Sequence, residues 1–189
     1  MKKEGKISRK KVICAASAII IFILALIFDS QIVSFFASIQ VPFIVTVMKV
    51  FSFFGSWYVI PFVAIAIILF SREKNKPKAL IGAMTSLLLG IISAYIFKII
   101  VARPRPLDLS VNFAAWDSSF PSSHAVAAFA ILPCLDKRLQ PYWLAFAILI
   151  SLSRIYLGVH YASDVIAGVI LGYVMGLVGT KIFKLDNKK

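Results

Sequence analysis

"SQIVSFFASIQVPFIVTVMKV", residues 30–50, decides the fold, because its reading sets the number of membrane spans and so the side on which every later charge falls. The stretch is apolar enough to tempt a span. Yet Gln31, Ser34, Ser38 and Gln40 interrupt it, and Pro42 removes a backbone donor. That pattern suits an amphipathic helix lying at the membrane interface. Six other segments have the length and apolarity of a span or nearly so: about 12–28, 51–70, 79–101, 122–135, 142–158 and 164–183. The fourth is short and opens with "PSSH", which puts that end inside the protein and not in lipid.

Charge tests the count. With six spans and a cytoplasmic N-terminus, the inner side receives Lys2, Lys3, Lys6, Arg9, Lys10 and Lys11, then Arg72, Lys74, Lys76 and Lys78. It also receives Lys137 and Arg138, then Lys181, Lys184, Lys188 and Lys189. These are 16 of the 21 basic residues, as the positive-inside bias requires. A seventh span would throw the later clusters outside. Five cations are left over: Lys49, Lys98, Arg103, Arg105 and Arg154. Four of them sit near the outer ends of the third and fifth spans, where topology gives them no reason to be.

The whole chain fits a bilayer: it is 60% hydrophobic and only 15% charged, with a mean hydropathy of +0.91. The formal charge of +13 does not indicate nucleic acid, because the basic residues lie in short clusters beside apolar runs. The apolar run 12–28 is longer than a signal-peptide core, and no small-x-small cleavage site follows it before Asp29, so it reads as a retained first span. Cys14 and Cys134 both lie in apolar segments and read as packing residues. No repeat or linker divides the chain. The expectation is an all-α, polytopic membrane protein: one domain over residues 1–189, six transmembrane helices, and an interfacial amphipathic helix between the first two.

The leftover cations fall beside the chain's chemistry-bearing residues. In "KIIVARPRP", residues 98–106, Lys98 comes near the end of the third span and a double Arg-Pro stops the helix. In "FPSSHA", residues 120–125, Ser122 or Ser123 is typed as a helix N-cap. In "SRIYLGVHYASD", residues 153–164, a short connection holds Arg154 close to His160, and Asp164 four residues on can reach back to an imidazole nitrogen. Taken singly, each has an ordinary explanation: Lys98 a snorkelling anchor, the serines caps, Asp164 a partner for the helix dipole. Together they converge on one side, at four helix ends, and include both histidines of the chain.

Such a site binds an anion. Arginine offers a planar fork that matches phosphate oxygens, and a helix start offers free N–H groups. Of two histidines, one can attack while the other protonates a leaving group. A catalytic metal would want paired carboxylates or histidines at ligand spacing. The outer acids are only Asp29, Asp108, Asp117 and Asp164, and the histidines are 36 positions apart, so the expectation is a site without metal or cofactor.

Lys98 with Arg105-Pro106, Pro121-Ser-Ser-His124, and Ser153-Arg154 with His160 and Asp164 resemble, in order and spacing, the three signature motifs of the type 2 phosphatidic acid phosphatase superfamily. The resemblance spans residues 98–164. It implies a lipid phosphatase acting through a phosphohistidine, with His160 the nucleophile, Asp164 its orienting partner and His124 the general acid. It also implies that Lys98, Arg105, Ser122, Arg154 and the backbone at Ser123 hold the phosphoryl oxygens. The family commonly has glycine where this chain has Ser123. Arg103 is not demanded by the motif and is expected to touch a second phosphate or a headgroup.

The expected substrate is therefore a membrane-embedded lipid phosphate or diphosphate. A polyprenyl diphosphate such as undecaprenyl diphosphate comes first, then phosphatidylglycerol phosphate and phosphatidic acid. Cleavage is expected at the extracytoplasmic face of the cell membrane, with both termini in the cytoplasm. A phosphotransferase sharing the first half-reaction and a non-catalytic transporter of anionic lipids are the alternatives; a transporter has no need of two histidines and a carboxylate.

Overall fold

A computed structural model describes residues 9–72, 75–106 and 117–185. Asp108 and the basic residues at 2–6, 74 and 188–189 lie outside the described residues, as does the Cys14 side chain. The described residues form helices and no strands: α1 (Arg9–Ser38), α2 (Pro42–Phe54), α3 (Ile60–Phe70), α4 (Lys76–Val101), α5 (Ser123–Ile131), α6 (Gln140–Tyr156) and α7 (Ala162–Ile182). A 3₁₀ turn, Leu132–Cys134, prolongs α5.

The stretch 30–50 divides in a way its polar residues do not announce. Residues 30–38 continue α1, which runs for 30 residues, or about 45 Å, well beyond a hydrocarbon core of about 30 Å. Gln31, Ser34 and Ser38 are tolerated in a helix. The break comes at Val41, held extended (φ −114°, ψ 131°) before Pro42, which starts α2. The apolar run 51–70, expected as one span, is likewise cut: α2 ends at Phe54, and a turn through Gly55 and Ser56 leads into α3, with proline again in its first turn. Residues 30–50, expected as one interfacial helix, are thus divided between the end of α1 and the start of α2.

Among the described residues, three helices are long and apolar enough to cross a membrane: Ala16–Ser38 within α1, α4 and α7. α2, α3 and α5, at 13, 11 and 9 residues, are shorter than the roughly 17–25 residues of a single straight span, and α6, at 17, meets the lower end of that range. α5 is short because it is the centre of the bundle, with seven of its nine residues, Ala125 to Ile131, buried. α7 approaches it through small residues: a Cβ at Gly172 would lie 2.4 Å from the Val126 carbonyl oxygen, so only glycine admits this backbone-to-backbone packing. The Trp143 indole of α6 donates to the Ala128 carbonyl of α5 (2.8 Å), satisfying its buried N–H.

α1 docks by a single stripe. Ala25 is buried and Ile32 and Phe36 pack beside it; Phe22 meets Phe120, and Phe36 meets Tyr156. Most other large apolar residues of α1, such as Ile19, Ile20, Ile23 and Ile27, are exposed and suit contact with lipid tails. Asp29 falls on the docking stripe, four residues after Ala25, and is buried there.

Candidate active site

The three sequence stretches meet at one end of the bundle. α4 delivers Lys98 one turn before its end, where Ala102 adopts a left-handed conformation (φ 46°) and swings Arg103 to Pro106 across the top. α5 presents Ser122, Ser123 and His124 at its start. α6 delivers Arg154 in its last turn. Gly158, at φ 68°, then makes the turn that returns the chain through His160 into α7. The Val159 and His160 N–H groups both donate to the Arg154 carbonyl (3.2 and 3.3 Å), which fixes the nearness of Arg154 and His160 expected from the short connection.

His160 is buried, and its Nδ1 faces Asp164 Oδ2 at 3.7 Å, too far for a hydrogen bond. It lies between α6 and α7, outside the spanning helices, and burial pushes its imidazole down to about 4, with Asp164 opposing and Arg154 and Arg105 adding to the fall. The ring is therefore neutral at pH 7.

Asp164 is more heavily engaged than the sequence suggested. Its Oδ1 accepts from Arg103 Nη1 (2.7 Å), and its Oδ2 accepts from the Tyr161 N–H (2.9 Å) and from the Ser119 hydroxyl. Arg103 is thus not aimed at a second phosphate or a headgroup. Its guanidinium turns into the bundle, bridges Asp164 to Asp29 (Nη2 to Oδ2, 2.9 Å), donates to Ser163 Oγ (2.7 Å) and stacks 3.9 Å over the Tyr161 ring. The reason is charge: two buried carboxylates need a cation between them more than an exposed headgroup does.

The phosphate-binding candidates are held differently. Lys98 Nζ donates to the Ser118 carbonyl, and Ser118 Oγ donates back to the Lys98 carbonyl (2.9 Å). Arg105 donates to the Asp117 carbonyl (3.1 Å), the Val159 carbonyl (3.1 Å) and the half-exposed Asp117 carboxylate (2.8 Å). Arg154 Nη1 donates to the Ser52 hydroxyl of α2, while its buried Nε has no partner. Ser122 occupies the N-cap position of α5, yet its hydroxyl makes no cap hydrogen bond and is buried without a partner. Its backbone N–H instead donates to the Asp164 carbonyl (3.0 Å), tying α5 to α7. His124 is half-buried beside Ser52, with the positive charges of Arg154 and Arg105 acting on it. Among the described residues no three His, Cys, Asp or Glu side chains are grouped to hold a metal ion.

Sequence reasoning did not find Asp29, Ser119, Ser163 or Ser52. For Asp29 a signal existed, since an acid at the edge of a long apolar run is expensive unless it has a polar partner. For the serines none did.

The protein-family model described as the PAP2 superfamily matches residues 79–188, more than half of the chain. Undecaprenyl-diphosphatase BcrC of Bacillus subtilis is 28% identical over 61% of this chain and 63% of its own length. An undecaprenyl-diphosphatase of Sulfolobus acidocaldarius is 30% identical over 71% of this chain and 68% of its own. The chain thus spans just under two thirds of the length of the Bacillus relative. Among solved structures, Aquifex aeolicus LpxE superposes with a TM-score of 0.67 at 23% identity, covering 82% of this chain and 95% of that one. A PAP2-type phosphatidylglycerolphosphate phosphatase from Bacillus subtilis does so at 0.64, also at 23% identity, covering 89% and 95%.

Proposed function

The chain belongs to the PAP2 superfamily, and from that premise we propose that it is a membrane lipid phosphatase that removes a terminal phosphate through a phosphohistidine intermediate. The observation that carries the reading is a convergence of unsatisfied polar atoms. Among the described residues four buried side-chain atoms lack a hydrogen-bond partner, Ser151 Oγ and three that belong to the motif stretches, Ser122 Oγ, Arg154 Nε and His160 Nδ1, and leaving such groups unpaired costs about 1–3 kcal/mol each. A phosphoryl group would supply acceptors for the hydroxyl and the guanidinium.

In the first step His160, with its proton on Nδ1 towards Asp164, attacks phosphorus through Nε2. The bond from phosphorus to the leaving oxygen breaks, and His124 gives that oxygen a proton. Asp164 closes on the imidazole as positive charge develops there, shortening the 3.7 Å separation. Lys98, Arg105, Arg154, the Ser122 hydroxyl and the Ser123 N–H hold the phosphoryl oxygens; positioning and charge neutralisation carry most of the rate. In the second step His124 takes a proton from water as the water oxygen bonds to phosphorus, the bond from phosphorus to His160 Nε2 breaks with its electron pair returning to the imidazole, and inorganic phosphate leaves.

A polyprenyl diphosphate is the first-choice substrate and phosphatidylglycerol phosphate the second. Two of the relatives above are named undecaprenyl-diphosphatases, and another, 32% identical over 40% of this chain, is named phosphatidylglycerophosphatase B. The proposed topology has six spans with the site extracytoplasmic. Arg9, Lys76, Lys137, Arg138 and Lys181 lie at helix ends remote from the site, which supports a cytoplasmic position for that face. The test is phosphate release by purified protein from a panel of lipid phosphates and diphosphates, with and without a chelator. Release that survives the chelator is the expected result; no release from any member overturns the reading, and phosphate found on an acceptor lipid replaces hydrolysis with transfer.

A further inference from the structure

Asp29 has no place in the three motifs, yet it is one of the most fully engaged side chains in the molecule. Its Oδ1 accepts from the Ser163 N–H (3.0 Å), one of the free donors in the first turn of α7. Its Oδ2 accepts from the Ser163 hydroxyl and from Arg103 Nη2 (2.9 Å). The other guanidinium nitrogen of Arg103 reaches Asp164 (2.7 Å), whose second oxygen faces the His160 ring. A row therefore runs from α1 to the reacting imidazole: carboxylate, guanidinium, carboxylate, imidazole.

We infer that Asp29 is a positioning residue for the reaction, acting on His160 through Arg103 and Asp164. Two physical effects support it. First, a guanidinium between two carboxylates leaves a net negative charge beside His160, whereas a guanidinium facing Asp164 alone would cancel the charge that stabilises the imidazolium formed in the attack. Secondly, Asp29 ties down the first turn of α7, and Asp164 sits in that turn; with Arg103, Ser119 and the Tyr161 N–H holding both its oxygens, the carboxylate has one available direction. Docking α1 alone would not require this. The stripe of Phe22, Ala25, Ile32 and Phe36 already supplies an apolar contact, and a buried ion pair is weak evidence of stabilisation.

This inference rests on the proposed phosphohistidine mechanism, so the experiment carries His160→Ala beside it. Purified Asp29→Asn is expected to show kcat about tenfold lower, the low end of the loss seen when the hydrogen-bond partner behind a metal-ligating histidine is removed, with KM within about twofold. In an Arg103→Gln background, Asp29→Asn is expected to cost little more, because residues acting in series are not additive. Asp29→Glu keeps the charge and should recover part of the rate. If Asp29→Asn does not accumulate as folded protein, Ser163→Ala, which leaves both charges in place, carries the test with a kcat about threefold lower at constant KM. Unchanged kcat, a change confined to KM, or additive losses in the double variant overturn the inference while His160→Ala stays inactive. An active His160→Ala would overturn the mechanism itself.

Discussion

The two halves of the site are built on opposite plans. On the Asp164 side the carboxylates are spoken for, since Asp29 and Asp164 accept from Arg103, Ser119, Ser163 and two backbone N–H groups, and His160 Nδ1 stands without a partner. On the opposite side Ser122 Oγ and Arg154 Nε are buried with nothing to bond. Arg103 and Arg105, two positions apart in the stretch 98–106, show the same division. The first is locked between carboxylates, and the second rests on carbonyls and on the half-exposed Asp117. Under the proposed mechanism, the half around His160 is organised before substrate arrives, and the half that receives the phosphoryl group is completed by it.

Substitutions on either side should separate these plans. The largest effect belongs to the first half: His160→Ala should lower phosphate release by more than about 1,000-fold with the folded protein intact by thermal unfolding in detergent. In the unsubstituted protein His160 has been moved from its usual 6.5 to about 4 by burial. A lowered value leaves the attacking nitrogen unprotonated as pH falls, so kcat/KM, corrected for ionisation of the substrate, should show no loss from protonation of His160 between pH 7 and pH 5 and an acid limb only near 4. A limb near 6.5 on which the rate falls as pH falls would mean that the attacking imidazole is exposed to solvent.

His124→Ala should follow, at about 100-fold or more with a poor leaving group, and much less with an activated aryl phosphate whose oxygen needs no proton. Arg154→Ala should cost about 100-fold and weaken inhibition by inorganic phosphate in parallel. Ser122→Ala should cost about tenfold with no loss of thermal stability, because its hydroxyl caps nothing; a marked fall in stability would return it to a structural role. The smallest change is Asp117→Asn. Freed of a competing carboxylate, Arg105 should bind inorganic phosphate about twofold to fivefold more tightly, the scale of an exposed ion pair.

Much of this was legible in the sequence, and what was not has physical causes. The three motifs lie on short connections, so Arg154, His160 and Asp164 had to be neighbours whatever the rest of the chain did. The central place of α5 was foreshadowed by its shortness. The course of α1 was not: Asp29 reads as the end of an apolar run, but a buried acid with a cation and two N–H or O–H donors does not end a helix. Its partner Ser163 is 134 positions away, and no local pattern reports a contact at that range. The division of 51–70 was missed because hydropathy does not register a turn built by Gly55 and Ser56 between two apolar helices. Arg103 was misassigned because the sequence shows a cation near a phosphate motif but not the carboxylates that compete for it.

The central claim is that His160 takes the phosphoryl group, and trapping it is the direct measurement. Purified protein would be mixed with a lipid diphosphate labelled in its terminal phosphate, quenched in alkali, where phosphohistidine survives, and digested for mass spectrometry. The account predicts label on the peptide carrying His160, slower to appear in Asp29→Asn and absent from His160→Ala. Label on any other residue, or full turnover by His160→Ala, would contradict it.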